Sequence, residues 1–108
     1  SSVNWFFSYF QSTLASCCSI EKHLKTKNSN RLNMTLGRVM VRPRWKGKGF
    51  AKKTIFYGIE YMTKNIEKYK IELEVLNANS NAIKFYKKLG FIDAQFARET
   101  RTMELRNI

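Results

Sequence analysis

The stretch RWKGKGFA, residues 44–51, places two glycines directly after a predicted strand and at the start of a predicted helix. Four lysines, Lys46, Lys48, Lys52 and Lys53, lie in or beside this glycine loop. Backbone amides are free at a helix N-terminus, and together with the lysine charges they attract anions. The sequence therefore predicts an anion-binding site at the glycine loop.

Two common phosphate-binding loops do not fit these residues. A Walker loop requires Ser or Thr after Gly-Lys, whereas Gly49 follows Gly47-Lys48 here. A dinucleotide-binding turn requires a third glycine three residues after Gly49, where the chain has Lys52. The predicted anion site is therefore of another kind.

The glycine loop resembles the phosphate loop of the GNAT N-acetyltransferase superfamily, whose pattern is Gln/Arg-x-x-Gly-x-Gly/Ala behind a strand ending in Val-x-Pro. The chain has Val41-Arg42-Pro43, followed by KGKGFA at residues 46–51. A second block resembles the superfamily's C-terminal signature of a strand, an Asn-bearing turn and a helix. It consists of LEV at residues 73–75, Asn79, and AIKFYKKLGF at residues 82–91. The two blocks span about residues 36–92 and resemble the ribosomal-protein N-acetyltransferases most.

This resemblance implies a single acetyltransferase domain over residues 1–108, of the α/β (α+β) class, with a mixed, strongly bent sheet flanked by helices. It implies transfer of an acetyl group from the acetyl-CoA thioester to a primary amine by direct attack, with no metal. Fewer residues precede the loop than in the superfamily. The first strand and its helices are therefore expected to be missing, and residues 1–35 to hold partial N-terminal strands.

The resemblance also implies which residues form the site. Backbone groups of residues 39–41 are expected to pair with the pantetheine arm of acetyl-CoA, and amides of residues 47–52 to bind its pyrophosphate. The implied cofactor-binding residues are Val39, Met40, Val41, Lys46, Gly47, Lys48, Gly49, Phe50, Ala51, Lys52, Asn79 and Tyr86. The implied catalytic residues are Tyr86 and Glu74.

Tyr86 and Glu74 answer the two proton requirements of the reaction. The thiolate that leaves has a parent thiol pKa of about 8.5, and a phenol with a pKa of about 10 can give it a proton only if proximity and a dry site favour that step. An amine with a pKa of about 10.4 arrives protonated and needs a base. Glu74 is the implied base, with Glu72 or a water as alternatives, and a structural pairing of these carboxylates with lysines also remains open.

Hydrophobic periodicity and turn residues predict the strands and helices of the chain. Strands are predicted at residues 3–10 and 12–24, although 12–20 also fits a helix, and residues 25–31 are predicted to be a loop. The remaining predicted elements are a strand at 34–41 with a bulge at Gly37, a helix at 50–65, a strand at 70–76 with Glu72 and Glu74 on one face, a helix from Asn79 or Ser80 to Gly90, and strands at 91–97 and 100–106.

The net charge of +12, from 20 Lys and Arg against 8 Asp and Glu, suggests attraction to anions. A basic nucleic-acid-binding domain is the weaker alternative, because the basic residues are scattered and no zinc, RNP or helix-turn-helix pattern accompanies them. A truncated, non-catalytic CoA-binding module is the stronger alternative. The acceptor, a small molecule or a protein, stays open.

Cys17 and Cys18 are adjacent, which strains a disulfide, so two reduced thiols in a cytoplasmic protein are expected. The apolar segment at residues 5–10 is too short to cross a bilayer, and no membrane partner is expected. With little to cover it, that segment predicts a homodimer through an exposed strand edge. The alternative is that residues 1–20 fold back as a helix within one chain.

Overall fold

The computed structural model describes residues 2–23 and 31–107, which form six strands and two α-helices. The strands are β1 Ser2–Phe10, β2 Thr13–Lys22, β3 Leu32–Val41, β4 Tyr69–Leu76, β5 Ile92–Phe96 and β6 Thr100–Arg106. The helices are α1 Phe50–Met62 and α2 Ser80–Leu89, and a short 3-10 turn covers Pro43–Trp45. Nearly all of the predicted loop at residues 25–31 lies outside the described residues.

The six strands form one mixed sheet in the order β1-β2-β3-β4-β6-β5. The β3 and β4 strands are parallel and are connected through α1, whereas every other neighbouring pair is antiparallel. The predicted mixed sheet with flanking helices is therefore confirmed. The helical alternatives for residues 12–20 and 1–20 are wrong, because β1 and β2 pair along their length around a turn at Gln11 and Ser12.

The sheet opens into a wedge between β3 and β4. Their parallel pairing starts at Leu32 and Tyr69 and ends at Thr35 and Glu72. Beyond that point β3 pairs only with β2, as far as Val41, while β4 pairs with β6. The backbone edge of β3 that faces β4 therefore has no strand partner after Thr35.

A bulge in β3 lies at the start of this wedge. Cys18 pairs with Val39 and Ile20 pairs with Leu36, so that Ser19 alone faces both Gly37 and Arg38. The Arg38 backbone amide donates to Ser19 Oγ at 3.0 Å. A Cβ atom at Gly37 would collide with the same oxygen, which explains the glycine. The predicted bulge is confirmed.

Both helices contribute to a single core on one face of the sheet. Ile55 and Ile59 of α1 and Ile83 of α2 are buried in one cluster with β-strand residues such as Ile71 and Met103. Helix α1 ends at Met62, not at the predicted Asn65. It stops early because the Thr63 hydroxyl bonds to the Ile59 carbonyl and Asn65 adopts a left-handed conformation, with φ of 64°.

No helix of the described residues packs on the opposite face of the sheet, which is here called the uncovered face, although Ala15, Cys17, Ser19 and Glu104 are buried on it. Trp5 and Phe7 of β1 lie on this face and are 46% and 48% exposed. Alternation along β4 buries Ile71, Leu73 and Val75 in the core, so Glu72 and Glu74 lie on the uncovered face, as predicted. The two cysteines form no disulfide, as expected, and both are buried.

Asp93 connects α2 to the last two strands. Arg101 Nη1 lies 3.1 Å from Asp93 Oδ1, and Lys87 Nζ lies 3.5 Å from Asp93 Oδ2. Partial desolvation alone would raise the pKa of Asp93, but the hydrogen bond from Arg101 and the charges of Lys87 and Arg101 outweigh it and lower the pKa. The folded protein therefore favours the ionised carboxylate.

Candidate active site

A cavity of about 590 Å³ lies where the wedge meets the glycine loop. Its wall combines the end of β3, the glycine loop, the start of α1 and one face of α2. The lining residues are Val39, Val41, Trp45, Lys46, Gly47, Gly49, Phe50, Ala51, Lys52, Asn81, Ala82, Phe85 and Tyr86. Residues from both sequence blocks are thus brought together around one space.

The glycine loop leaves the N-terminus of α1 open toward this cavity. Gly47 and Gly49 have φ of +77° and +84°, a left-handed conformation that L side chains rarely adopt. Gly49 is the N-cap of α1, and no side chain caps the helix there. A Cβ atom at either glycine would meet nothing within 4 Å. The free amides, the helix dipole and the side chains of Lys46 and Lys52 make this end of the cavity suited to an anion.

The end of β3 forms a second wall. Val39 and Val41 line the cavity, whereas Met40 points away from it and is 51% exposed. The backbone of these residues has no strand partner on the wedge side. This free edge can pair with amide groups of an extended ligand as an added strand would. Lys48 is exposed and lies outside the lining.

Tyr86 lies on the α2 wall of the cavity, where its ring contacts Phe85 and Phe91 with centroid distances of 5.3 Å and 5.7 Å. Burial raises the pKa of the Tyr86 phenol above its ordinary value, and the nearby Cys18 thiol raises it further. The phenol therefore remains protonated at neutral pH. It is available as a proton donor at the cavity wall.

Asn79 has a local role in the structure. Its side-chain oxygen accepts a hydrogen bond from the Ala82 amide at 3.2 Å, which caps the N-terminus of α2. Asn79 does not line the cavity, whereas its neighbours Asn81 and Ala82 do. At the other end Gly90, with φ of +105°, terminates the helix as predicted. The cap and the stop together set the position of Tyr86.

Glu74 lies on the uncovered face of the sheet, opposite Thr102 of β6, and is exposed. It does not line the cavity, so Tyr86 and Glu74 lie on opposite faces of the sheet beside the wedge. Glu72 shares the face with Glu74, and its carboxylate is 2.7 Å from Lys70 Nζ. Of the two carboxylates, Glu72 is therefore the one with an ion-pair partner in the described ranges.

Sequence reasoning did not include four lining residues: Trp45, Asn81, Ala82 and Phe85. Ala82 lies one helical turn before Tyr86, so helical periodicity from Tyr86 could have identified this one of the four. Trp45 flanks the glycine loop, but its side-chain direction depends on contacts with distant residues. No local signal in the sequence reports those contacts.

The family model for the acetyltransferase (GNAT) family matches residues 5–91. The chain belongs to the GNAT family. This match covers both blocks and also most of β1 and β2, for which no motif was evident. The predicted family is thus confirmed. Comparison with curated protein sequences gives no match.

Solved structures of N-acetyltransferases share the fold of this GNAT chain. One is the PaiA N-acetyltransferase of Thermoplasma acidophilum in complex with coenzyme A, with a TM-score of 0.77 and 20% identity over 97% of this chain and 61% of that one. The N-acetyltransferase PseH of Campylobacter jejuni, in complex with acetyl coenzyme A, has a TM-score of 0.74 and 16% identity over 100% and 70% of the two chains.

The ribosomal-protein-S18-alanine N-acetyltransferase of Escherichia coli has a TM-score of 0.72 and 21% identity, over 96% of this chain and 68% of that one. At these identities the likeness concerns the fold. The chain spans less than two thirds of the PaiA enzyme. No helix in the described ranges is long and apolar enough to span a membrane.

Proposed function

We propose that this GNAT chain is an acetyl-CoA-dependent N-acetyltransferase that acts on a primary amine. The observation that carries the proposal is the cavity that runs from the open N-terminus of α1, along the free edge of β3, to Tyr86. An elongated molecule with phosphates at one end and a thioester at the other matches these three features in order. The crystallised neighbours named with coenzyme A or acetyl coenzyme A support the same ligand.

In this proposal the pyrophosphate of acetyl-CoA binds to the amides of residues 47–52. A phosphate can approach these amides because neither Gly47 nor Gly49 has a side chain, and the space around both is open. Lys46 and Lys52 add positive charge at the cavity wall. The amides of the pantetheine arm pair with the backbone of residues 39–41. Asn79 contributes through the α2 cap and not by contact.

Tyr86 acts as the general acid in the proposed reaction. When the neutral amine displaces the CoA thiolate, the Tyr86 hydroxyl donates its proton to the sulfur, and the proton that leaves the new amide nitrogen restores the phenol. The raised pKa of Tyr86 keeps that proton in place before the reaction, although it also makes the phenol a weaker acid than the thiol. Withdrawal of the thiolate from water in the cavity offsets part of this difference, because an unsolvated thiolate is a stronger base.

Glu74 accepts the proton of the incoming amine, directly or through a water. Its position on the uncovered face supports an approach of the acceptor from the side of the sheet opposite to Tyr86. In this arrangement the acid, Tyr86, and the base, Glu74, lie on opposite faces of the sheet beside the wedge between β3 and β4. Glu72 is the weaker candidate because Lys70 engages it.

The second candidate function is CoA binding without turnover. The uncovered sheet face favours it, because an acceptor arriving beside Glu74 meets only one wall among the described residues. Measurements of CoA binding and of acetyl-transfer turnover distinguish the two candidate functions. The acceptor itself, a small amine or a peptide N-terminus, is decided by the same assay.

The test incubates the chain with acetyl-CoA and a panel of acceptors that includes polyamines, amino sugars and peptides beginning with alanine. Release of the CoA thiol and acetylation of the acceptor, detected by mass spectrometry, should occur together. Tight CoA binding in calorimetry with no acetylated product would favour the second candidate. A chain that binds neither CoA nor acetyl-CoA would contradict both.

A further inference from the structure

Three aromatic rings connect the edge strand β1 to the glycine loop. The ring of Phe10, the last residue of β1, lies 4.9 Å from that of Trp45 and 5.9 Å from that of Phe50, centroid to centroid. Trp45 and Phe50 lie 5.8 Å apart, and all three pairs meet edge to face. Trp45 and Phe50 line the cavity, whereas Phe10 does not. Phe10 therefore supports the cavity wall from behind.

A second contact joins the same end of β1 to α1. Ser8 Oγ lies 2.6 Å from Thr54 Oγ1, and the Thr54 hydroxyl is also 3.1 Å from Ser16 Oγ and 2.8 Å from the Phe50 carbonyl oxygen. Thr54 is buried in the second turn of α1. Ser8 and Phe10 are two residues apart on one face of β1, so one strand face contacts both the loop and the helix that follows.

The glycine loop has few other constraints. Residues 46–49 are exposed, and two of the four are glycines in the left-handed conformation. Glycine has the greatest backbone freedom, so the loop depends on its flanking residues to stay in one conformation. Trp45 is such a residue, and its buried Nε1 has no hydrogen-bond partner among the described residues. The indole is held by ring contacts with Phe10 and Phe50 and by the Arg44 guanidinium, whose central carbon lies 5.3 Å from the Trp45 ring centroid.

We propose that Phe10 is a positioning residue for the cofactor, which acts through Trp45 to keep the glycine loop in its phosphate-binding conformation. This inference rests on the proposed function, because it assumes that the loop binds the phosphates of CoA. Edge-to-face contacts of this kind each change an equilibrium roughly 2- to 10-fold. Loss of the two Phe10 contacts should therefore weaken CoA binding without changing the chemical step.

The experiment compares Phe10→Leu with Phe7→Leu. Phe7 is on the same strand with similar exposure, 48% against 41%, but on the opposite face and away from the loop. Phe10→Leu should raise the Kd for CoA, measured by calorimetry, and the KM for acetyl-CoA by roughly 5- to 20-fold, with kcat within about 2-fold of wild type. Phe7→Leu should leave the Kd, the KM and kcat within about 2-fold of wild type. Phe10→Tyr, which keeps an aromatic ring at this position, should also have wild-type values.

A double-mutant cycle tests the route through Trp45. In a Trp45→Leu background, Phe10→Leu should cause a clearly smaller loss of CoA affinity than in wild type, because only the contact of Phe10 with Phe50 is left to remove. Circular dichroism checks that each variant folds. If Phe10→Leu does not fold, Phe10→Tyr is compared with wild type. Its CoA affinity should equal that of wild type, because the tyrosine ring keeps the contacts with Trp45 and Phe50.

The inference alone is overturned by a wild-type Kd for a folded Phe10→Leu variant, or by an equal loss of CoA affinity in Phe7→Leu, which would indicate a general effect of β1. Additive losses in the double-mutant cycle would also overturn it. Absence of CoA binding by the wild-type chain would overturn the proposed function and this inference together, so the two failures are distinguishable.

Discussion

Replacement of Gly49 by alanine should weaken CoA binding by at least about tenfold at a small cost in stability. Gly49 has φ of +84°, and an L-residue in this conformation costs about 1–2 kcal/mol. The added methyl group restricts the unfolded chain, which returns about 0.4–1 kcal/mol. Nothing lies within 4 Å of the new Cβ atom, so there is no collision to add. The net cost is therefore about 0–1.5 kcal/mol.

The same methyl group stands at the N-cap of α1 on the lining of the cavity, where it takes space that the proposed pyrophosphate would use. We expect a loss of at least about tenfold in CoA affinity, or about 1.4 kcal/mol, because the phosphates can no longer reach the free amides of α1. Calorimetry gives the affinity, and thermal unfolding gives the stability. In a domain of about 100 residues each kcal/mol lowers Tm by about 4–8 °C, so the fall in Tm should not exceed about 12 °C.

Gly58→Ala is the matched control. Its Cβ atom would lie 2.8 Å from Ile20 Cδ1 and from Phe6 Cδ2, on the core side of α1 and outside the cavity lining. Overpacking costs about 1–3 kcal/mol, and the better helix propensity of alanine returns about 1 kcal/mol. This variant should lose comparable stability but keep its CoA affinity. The reasoning is refuted if Gly49→Ala binds CoA like wild type, or if Gly58→Ala loses affinity equally.

Tyr86→Phe should lower kcat by about 10²- to 10⁴-fold with little change in CoA affinity, because it removes only the proposed proton donor; a parallel loss of CoA affinity would assign Tyr86 to binding. Glu74→Gln should flatten the acidic limb of the pH–rate profile, and an unchanged profile would assign Glu74 to structure. Because the folded pKa of Asp93 is below its ordinary value of 3.8, its stabilisation is present above that value and is lost as pH falls through the lower folded pKa. Urea unfolding should show Asp93→Asn destabilised at neutral pH and equal to wild type in strong acid; a difference that persists at all pH values would contradict this. We also expect a homodimer through β1, whose nine residues carry no charge. Light scattering should find a dimer for wild type and a monomer for Phe7→Lys, and a wild-type monomer at high concentration would disprove the pairing.

Features that depend on near neighbours in the chain could be predicted from the sequence. The glycine loop, the cap at Asn79 and the stop at Gly90 follow from conformations and hydrogen bonds within a few residues. The alternation along β4 follows from the two-residue period of a strand. The two blocks were specific enough to indicate the GNAT family, which the family model confirms. The end of α1 was predicted three residues too late, at Asn65, although asparagine favours the left-handed conformation that Asn65 adopts just after the helix.

Features that depend on pairing between distant segments were decided only by the tertiary structure. Where β3 and β4 separate is set by which residues pair across the sheet, and no single strand encodes that point. The same pairing sets Tyr86 and Glu74 on opposite faces of the sheet, whereas the resemblance implied only that both residues belong to the site. The contact of Phe10 with Trp45 joins residues 35 positions apart, a distance at which local propensities carry no information. Only burial and ring packing in the folded chain determine that contact.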